Sequence, residues 1–426
     1  MNRSKLLLIA FVCIFVGLVA RFAMKSSRPD LTVMGFVNVR DGIGKQAVDL
    51  IRALESDLTI NFIATSRVKS GDLDKKMKRF LTKSNKKHKF GKVVILEDMI
   101  WTPNRFPAEK LIKADTDAIK IAYSMWESSR LPSEWVLTLN SHFDAVCVPA
   151  DFLVDVYVSS GVEIPVFVIP LGREFKKFES KPLKQHTQER FVFGNLSACS
   201  ARKNQLLLIK AFEKVFGNQP DVLLRFNCRY GEEEVIREIT QYLAESNLTN
   251  VEFTQFNLNP KEYLELFESI DCYVSPSKGE GFSIQPREAM ALGIPVICTN
   301  NTGQEDICSS GLVYSIETSL VEAALYPWGF YYGKQASCSV DALAQALVDV
   351  KAGHKEYLEK ASKARQWAMQ YDFSNLKDQY QTLVKPERIV LGSENKIEGY
   401  SLVTNSKVLY NKYRELGIAK IQESGF

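Results

Sequence analysis

The stretch SPSKGEGFSIQPREAMALGIPVICTN, residues 275–300, decides the interpretation of the rest of the chain. It begins at the end of an apolar run, passes through a glycine-containing loop and enters a helix near Ile284. The pattern therefore predicts a strand, a loop and a helix in that order. Backbone N–H groups of Gly281, Phe282 and Ser283 would then point out of a helix start. Together with the helix dipole, such N–H groups form an anion site that suits a diphosphate.

Two acidic residues accompany this helix start. Glu280 lies just before the helix and Glu288 about one turn into it, so both carboxylates face the same side. A carboxylate can accept hydrogen bonds from the two hydroxyl groups of a ribose. Taken singly, Glu280 also fits an ordinary loop acid, and Glu288 fits an acid that the helix dipole favours.

Outward from this stretch, short apolar runs alternate with helical stretches. Six runs predict strands in the first part of the chain, at residues 31–37, 58–64, 92–97, 119–125, 144–149 and 166–170. The alternation resumes near residue 191, and helices from residue 340 to residue 384 close this second part. Alternating strands and helices predict parallel sheets with helices on both faces, whose ligands bind at the carboxyl ends of the strands.

The polar, charged segment at residues 173–190 contains a proline and is typical of a linker between domains. We therefore predict an α/β protein with two doubly wound domains, at residues 30–172 and 191–386, and a ligand cleft between them. The tail at residues 387–426 and the insertion at residues 322–339 show no pattern that predicts their role.

Composition limits the class of protein. The 426 residues are 46% hydrophobic and 24% charged, which excludes a collagen, a coiled-coil rod and a mostly disordered chain. A formal net charge of +4 gives no electrostatic reason to expect nucleic acid as the partner. The eight cysteines do not form a disulfide scaffold, and the two-to-four-residue spacing of common zinc sites is absent.

An uncharged apolar run, LLLIAFVCIFVGLVA, occupies residues 6–20. A membrane-spanning helix needs roughly 17–25 apolar residues, and the run reaches the lower limit when Arg21 snorkels and the three residues after it are included. Candidate cleavage sites after Ala20 and Ala23 lack a small residue three positions back. We therefore predict a single-pass membrane anchor at residues 1–25; a cleaved signal peptide and a buried or interfacial helix are the alternatives.

Such an anchor would place the protein on a membrane, which in a eukaryotic cell would be that of the endoplasmic reticulum or the Golgi. Basic residues lie on both sides of the apolar run, so the positive-inside rule leaves the orientation open.

The string GEGFSIQPREAMALGIPVI, with Glu280 and Glu288 in an E-x7-E spacing, resembles the signature of retaining glycosyltransferases of family 4. Members of this family have the GT-B fold, in which two Rossmann-like domains face a central cleft. The resemblance implies that Glu280 lies near the donor sugar and that Glu288 binds the ribose of the nucleotide. It also implies that the amides of Gly281, Phe282 and Ser283 contact the sugar and the phosphates.

A second segment, FGNLSACSARKNQLLLIKAFEKVF at residues 193–216, resembles the first strand, loop and helix of the family's donor domain. The resemblance implies that Lys203 contacts the donor diphosphate, where a fixed cation stabilises the charge of the leaving group. The family has an arginine after the strand glycine, whereas Asn195 follows Gly194 here. Arg202 would then supply the second cation, unless it is a solvated residue at a helix start.

The first part of the chain contributes further candidates. The segment FVNVRDGIGKQAVDLIRAL at residues 36–54 is expected to place Gly42 and Gly44 in the loop after the first strand, where small residues let backbone approach a ligand. A plain tight turn is the alternative. In the family, the corresponding loop faces the donor phosphates and the acceptor. Glu127 follows a predicted strand and would orient the donor sugar or the acceptor, unless it is an ordinary loop acid.

The resemblance implies transfer of a hexose-type sugar from a UDP- or GDP-sugar to a glycan, lipid-linked or protein acceptor, with retention and without a metal or other cofactor. Three other classes stay open at this level: a non-hydrolysing sugar-nucleotide epimerase, a sugar-nucleotide-binding protein without activity, and a dinucleotide oxidoreductase. The oxidoreductase expects G-x-G-x-x-G, whereas Ala47 stands at the third glycine position here, a position that tolerates alanine.

Overall fold

The structure is a computed structural model, and it describes residues 28–40, 42–66, 68–84, 90–100, 108–113, 117–185 and 189–421. The membrane anchor predicted at residues 1–25 lies outside these ranges. Within them, no helix has both the length and the apolar character that a bilayer-crossing segment needs.

In the described residues, the first half of the molecule is a six-stranded parallel sheet with five α-helices. Its strands occupy the six predicted positions because each is a short apolar run, buried by helices on both faces of the sheet. They are β1 (Leu31–Gly35), β2 (Ile60–Ala64), β3 (Val93–Glu97), β4 (Ile119–Tyr123), β5 (Ala145–Val148) and β6 (Val166–Val168). The helices are α1 (Gly42–Leu54), α2 (Lys75–Ser84), α3 (Glu109–Lys113), α4 (Ser133–His142) and α5 (Phe152–Ser160).

The second half repeats this architecture. Its strands are β7 (Phe191–Asn195), β8 (Val222–Asn227), β9 (Val251–Thr254), β10 (Cys272–Ser275), β11 (Val296–Asn300) and β12 (Tyr314–Glu317). Its helices are α6 (Gln205–Phe216), α7 (Glu233–Ser246), α8 (Pro260–Glu268), α9 (Ile284–Ala291), α10 (Glu305–Ser309), α11 (Val340–Ala352) and α12 (His354–Met369). Both sheets are parallel throughout, as the alternation of strands and helices predicts.

Strand order reverses once in each sheet. The first sheet is ordered β2-β1-β3-β4-β5-β6, and the second is ordered β12-β11-β10-β7-β8-β9. The reversals therefore fall between β1 and β3 and between β7 and β10. Loops that leave such neighbouring strands diverge and open a crevice at the carboxyl ends of the sheet. The loops after β7 and β10 contain Lys203 and Glu280, so strand order brings these two residues together although 77 residues separate them.

The insertion at residues 322–339 falls largely within a β-hairpin, formed by β13 (Leu320–Leu325) and β14 (Tyr331–Ser337). The hairpin extends from the second half to the loop after β4. The Ser129 amide donates a hydrogen bond to the carbonyl of Lys334 at 3.0 Å. The ring of Tyr326 stacks on that of Trp126, with the centroids 4.5 Å apart. The hairpin therefore connects the two halves along one edge.

After α12 the chain returns to the first half. Helix α13 (Phe373–Val384) packs against α1. The Tyr380 hydroxyl donates to the carbonyl of Pro170 at 2.9 Å, and its ring stacks on Tyr123. Thus a helix that lies within the range predicted for the second domain contacts the first half instead.

The C-terminal tail forms a four-stranded sheet and one helix, which the sequence did not predict. The strands are β15 (Arg388–Leu391), β16 (Lys396–Glu398), β17 (Ser401–Thr404) and β18 (Lys420–Ile421), and the helix is α14 (Lys407–Glu415). Lys412 pairs with Asp144 at 2.6 Å, so the tail docks on the first half.

The predicted linker at residues 173–190 begins in a buried position. Arg173 is 3% exposed and Phe175 is 1% exposed. The carboxylate of Asp372 accepts hydrogen bonds from the amides of Phe175 and Lys176, at 2.7 and 2.8 Å. The start of this segment is therefore held rigidly beside the cleft between the two halves.

Candidate functional site

Four of the predicted residues meet in one chain of ion pairs that joins the two halves. Glu127 comes from the loop after β4, Arg202 and Lys203 from the loop after β7, and Glu280 from the loop after β10. Arg202 Nη2 lies 3.3 Å from Glu127 Oε1, and Arg202 Nη1 lies 3.0 Å from Glu280 Oε2. The ammonium group of Lys203 donates to the other oxygen of Glu280. Both carboxylate oxygens of Glu280 are therefore bound by cations.

The Lys203–Glu280 part of this ion-pair chain is withdrawn from water, whereas the side chains of Arg202 and Glu127 are 27% and 22% exposed. Glu280 is 5% exposed and Lys203 is 7% exposed. Burial by itself raises the pKa of Glu280, but the charges of Lys203 and Arg202 outweigh burial and lower that pKa to about 2. Burial lowers the pKa of Lys203, and the charge of Glu280 opposes that shift. The Glu280 carboxylate is consequently ionised throughout the neutral pH range.

The loop that contains Glu280 lies against the first half with no room for side chains. A Cβ at Gly279 would lie 2.0 Å from the carbonyl oxygen of Glu127, and a Cβ at Gly281 would lie 2.9 Å from Met125. The Gly303 amide donates to the Glu280 carbonyl at 2.9 Å. These close backbone contacts explain why glycines flank Glu280.

The start of α9 follows this loop. Ser283 has a left-handed backbone with φ of 61°, and its hydroxyl accepts a hydrogen bond from Gln304 at 2.9 Å. Glu288 is the fifth residue of the helix, and one of its oxygens accepts a hydrogen bond from the Tyr263 hydroxyl at 2.8 Å. The strand, loop and helix predicted for residues 275–300 are thus present.

Sequence reasoning missed one residue that holds this region together. Arg287 is completely buried, and its guanidinium lies 3.8 Å from the ring centre of Phe282 and 4.6 Å from that of Tyr371. It donates to the carbonyl of Ser283 at 3.2 Å and pairs with Asp306. The available signal was an arginine among the apolar and small residues of a short helix.

A cleft of about 370 Å³ lies between the two halves. Gly42 of the first half and Glu288 of the second half both line it. Residues at or after the ends of β8 and β9 form much of the remaining wall, among them Asn227, Arg229, Tyr230 and Leu258. The other predicted residues, Glu127, Arg202, Lys203, Glu280, Gly281, Phe282, Ser283 and Gly44, are not among its lining residues. The structure therefore separates the predicted site into a cleft and a partly buried ion-pair chain.

Two predicted positions differ from expectation. Gly42 and Gly44 do not lie in the loop after β1; they are the first and third residues of α1. A Cβ at Gly44 would lie 2.7 Å from the Asn38 amide nitrogen, so this glycine allows the helix to begin close to the preceding loop. Gly42 alone faces the cleft.

A wider crevice of about 620 Å³ lies at the opposite edge of the first sheet, beside Lys120, His142 and Lys412. It contains none of the predicted site residues, and ligands of parallel sheets bind at the carboxyl ends of the strands. We therefore take the smaller cleft as the candidate site. Across the described ranges, no three or more His, Cys, Asp or Glu side chains are grouped as ligands of a metal ion.

Comparison with known proteins agrees with this geometry. Residues 176–323 match the family model described as glycosyl transferases group 1. An uncharacterised glycosyltransferase of Sulfolobus islandicus rod-shaped virus 1 is 25% identical over 232 residues, which are 50% of this chain and 64% of the viral protein. An uncharacterised glycosyltransferase of Methanocaldococcus jannaschii is 27% identical over 176 residues, 39% of this chain and 40% of that protein. The chain thus spans less than two thirds of either relative.

Solved structures extend the comparison to most of the chain. Anabaena Alr3699/HepE, in complex with UDP and glucose, superposes with a TM-score of 0.58 at 14% identity, over 84% of this chain and 99% of that one. A glycosyltransferase from Rickettsia africae gives a TM-score of 0.60 at 15% identity, over the same shares of the two chains. At these identities the likeness shows the fold alone.

The two facing Rossmann-like sheets and these structural matches confirm the GT-B architecture. The family match and the curated relatives support a glycosyltransferase.

Proposed function

We propose that this protein is a retaining glycosyltransferase of the family 4 type. It transfers a hexose-type sugar from a UDP- or GDP-sugar to a glycan, lipid-linked or protein acceptor, and needs no metal ion. The proposal rests on one observation: Lys203 and Glu280 meet at the point where strand order reverses, directly before the start of α9. Fixed cations and a helix N-terminus are the groups that favour a diphosphate, so this meeting of Lys203 and Glu280 beside α9 supports the proposal.

The nucleotide binds in the cleft of about 370 Å³, which falls within the usual volume range of small-molecule sites. Glu288 faces this cleft and accepts the ribose hydroxyls, while Tyr263 fixes the orientation of its carboxylate. The HepE structure that superposes on this chain is in complex with UDP and glucose, which supports a UDP-sugar as the donor.

In the reaction, the bond between the anomeric carbon and the diphosphate oxygen breaks toward an oxocarbenium-like ion. Lys203, Arg202 and the amides of residues 281–283 stabilise the departing diphosphate. Its phosphate oxygen takes the proton of the acceptor hydroxyl, which attacks the same face of the sugar. Glu280 stays ionised at neutral pH, so it does not donate a proton to the leaving group. Its role is to hold the two cations and the donor sugar in place.

The acceptor and the cellular location belong to the same proposal. One relative, named alpha-monoglucosyldiacylglycerol synthase, comes from Streptococcus pneumoniae and is 24% identical over 196 residues, 44% of its length. That name supports a lipid-linked acceptor, which is one of the three acceptor classes in the proposal. An N-terminal anchor at residues 1–25 would hold the enzyme on a membrane beside such acceptors, on the endoplasmic reticulum or Golgi in a eukaryotic cell.

The test uses the full chain in detergent, a panel of UDP- and GDP-sugars, and EDTA in every reaction. Nucleotide release is measured for the wild type and for Lys203→Ala and Glu288→Ala. Lys214→Ala serves as the matched control, because Lys214 lies on α6 and pairs with exposed Asp341 away from the cleft. We expect one donor to be turned over and both site variants to lose this turnover, while the control keeps it.

The configuration of the new glycosidic bond, measured by NMR, tests retention separately. Inversion at the anomeric carbon would overturn the retaining mechanism but keep the glycosyltransferase. Absence of binding to every sugar nucleotide by the folded chain would overturn the proposed function as a whole.

A further inference from the structure

The first half presents a group of cations to the cleft around one buried carboxylate. Asp49 on α1 has no exposed side-chain surface, and three cations surround it: Lys45 at 3.5 Å, Arg173 at 3.6 Å and Arg52 at 3.9 Å. Among the described residues, neither oxygen of Asp49 has a hydrogen-bond partner. Arg52 also pairs with Asp74 at 2.8 Å and with Glu174 at 3.1 Å, so Lys45 and Arg173 share the single charge of Asp49. This part of the cleft wall is therefore positively charged and attracts anions.

Arg173 is the most buried of these cations. It is 3% exposed, lines the cleft, and donates from Nη2 to the carbonyl of Gly42 at 3.1 Å. Its Nε and Nη1 groups have no hydrogen-bond acceptor within the described part of the chain. Buried N–H groups without acceptors are costly, and a guanidinium matches the geometry of phosphate oxygens. Nε and Nη1 are shielded from solvent, so a phosphate in the cleft would meet the guanidinium at Nη2, which faces Gly42.

Arg173 lies opposite the start of α9. A Cβ at Gly42 would lie 3.6 Å from Arg173 Nη2 and 3.4 Å from Ile284 Cδ1. The guanidinium, from the start of the segment 173–190, and the first residue of α9, from the second half, thus flank the same glycine of the first half. An anion beside Gly42 would meet the guanidinium on one side and lie next to the Ile284 side chain, at the first residue of α9, on the other.

At the end of β7, the position after the strand glycine Gly194 supplies no cation to the cleft. Asn195 ends β7 and is 2% exposed, and its side-chain amide donates to the carbonyl of Val274 at 2.8 Å. This side chain is used within the sheet and does not reach the cleft.

We propose that Arg173, at the start of the segment 173–190, is a donor-binding residue that supplies a further cation, beside Lys203 and Arg202, to the diphosphate of the nucleotide sugar. The inference rests on the proposed function and adds to it a clamp formed by both halves. Gly42 leaves the space through which the diphosphate reaches the guanidinium, and Asp49 keeps the guanidinium oriented.

The experiment measures binding of UDP, GDP and the nucleosides uridine and guanosine to the full chain by calorimetry. Arg173→Gln is expected to weaken binding of the nucleoside diphosphate about 10- to 100-fold, as the loss of hydrogen bonds from a charged group predicts. Binding of the nucleoside should stay unchanged, because the nucleoside has no phosphate. Arg173→Lys keeps the positive charge but lacks the planar set of N–H donors, so it should weaken diphosphate binding to an intermediate extent. Arg225→Gln is the control, since Arg225 pairs with Glu252 and does not line the cleft.

Three outcomes would overturn the inference. Unchanged diphosphate binding by Arg173→Gln would show that the residue does not contact the donor. Equal losses for nucleoside and diphosphate would show a structural role only. Binding of inorganic phosphate to the wild type saturated with UDP, lost in Arg173→Gln, would assign the residue to a separate phosphate such as that of an acceptor. If the wild type binds no nucleotide at all, the proposed function fails first.

A second variant keeps the test decisive if Arg173→Gln does not fold. Gly42→Val places a side chain between Arg173 and Ile284 without removing a buried charge, and the nearest contacts of its Cβ are ordinary ones. It should reproduce the selective loss of diphosphate binding. Tight diphosphate binding by a folded Gly42→Val protein would contradict the clamp.

Discussion

Replacing Glu280 by glutamine tests the ion-pair chain at the centre of the molecule. The substitution keeps the shape of the side chain and removes its charge. Lys203 then stays 7% exposed without a carboxylate, and Arg202 loses a partner at 3.0 Å. Removing one member of a buried ion pair is strongly destabilising because the other charge remains buried and uncompensated. We expect Glu280→Gln to fold but to be less stable.

The magnitude follows from the pKa of Glu280. Folding lowers this pKa from its ordinary value of 4.5 to about 2. At about 1.4 kcal/mol for each pKa unit, the charged form contributes about 3 kcal/mol to the free energy of unfolding at pH 7. Because the folded pKa is depressed, this contribution is complete above pH 4.5 and is lost as the pH falls toward 2. At pH 3 about 1 kcal/mol of it should remain.

The assay is urea unfolding of the wild type and Glu280→Gln at pH 7, 5 and 3, followed by tryptophan fluorescence. The difference in unfolding free energy should be largest at pH 7 and shrink at pH 3. Adding Lys203→Met to Glu280→Gln should recover part of the loss, because the buried ammonium is then also absent. A difference under about 0.5 kcal/mol at pH 7, or one that does not change with pH, would refute the reasoning.

Three further substitutions test other parts of the structure. Glu97 is 1% exposed at the end of β3, and burial raises its pKa well above the ordinary value. Its negative charge therefore opposes folding as the pH rises. Glu97→Gln should raise Tm at pH 9 relative to the wild type and change it little at pH 4. A Cβ at Gly303 would lie 2.7 Å from the Glu280 carbonyl oxygen. Gly303→Ala should therefore lower the free energy of unfolding in urea by about 1–3 kcal/mol and weaken UDP binding. Unchanged UDP affinity would contradict the role of this loop. Trp126 is 2% exposed and stacks on Tyr326 of the hairpin, so Trp126→Ala should cost about 3–5 kcal/mol in the same unfolding assay; a loss below 1 kcal/mol would show that the hairpin is not held there.

The sequence was sufficient for the six strands of the first sheet and for the motif at residues 275–300. Strands of a parallel sheet are apolar on both faces, so each one appears in the sequence as a short continuous apolar run. Such a run can be recognised without knowing which elements pack against it. The six runs predicted in the first half match β1 to β6 for this reason. The glycines that flank Glu280 are also visible in the sequence. They mark positions where the chain packs too closely for a side chain.

The C-terminal region was less accessible to sequence reasoning. Helix α13 has the same amphipathic character as the helices before it, and nothing in its residues indicates that it packs against α1. The short strands of the tail and the hairpin at residues 320–337 are stabilised by partners far away in the sequence, such as the loop that contains Trp126. Strand pairing depends on such partners more than on intrinsic preference.

Local chemistry along the chain therefore determined the fold class, the helix start at Ser283 and the residue types available for an anion site, because each depends on near neighbours. Only the tertiary structure decided which of these residues meet. Strand order, which no local pattern encodes, joins Lys203 to Glu280 across 77 residues and turns Arg202 toward Glu127 of the other half. The same long-range packing buries Arg173 against Asp49, a contact that neither residue's own surroundings in the sequence would suggest.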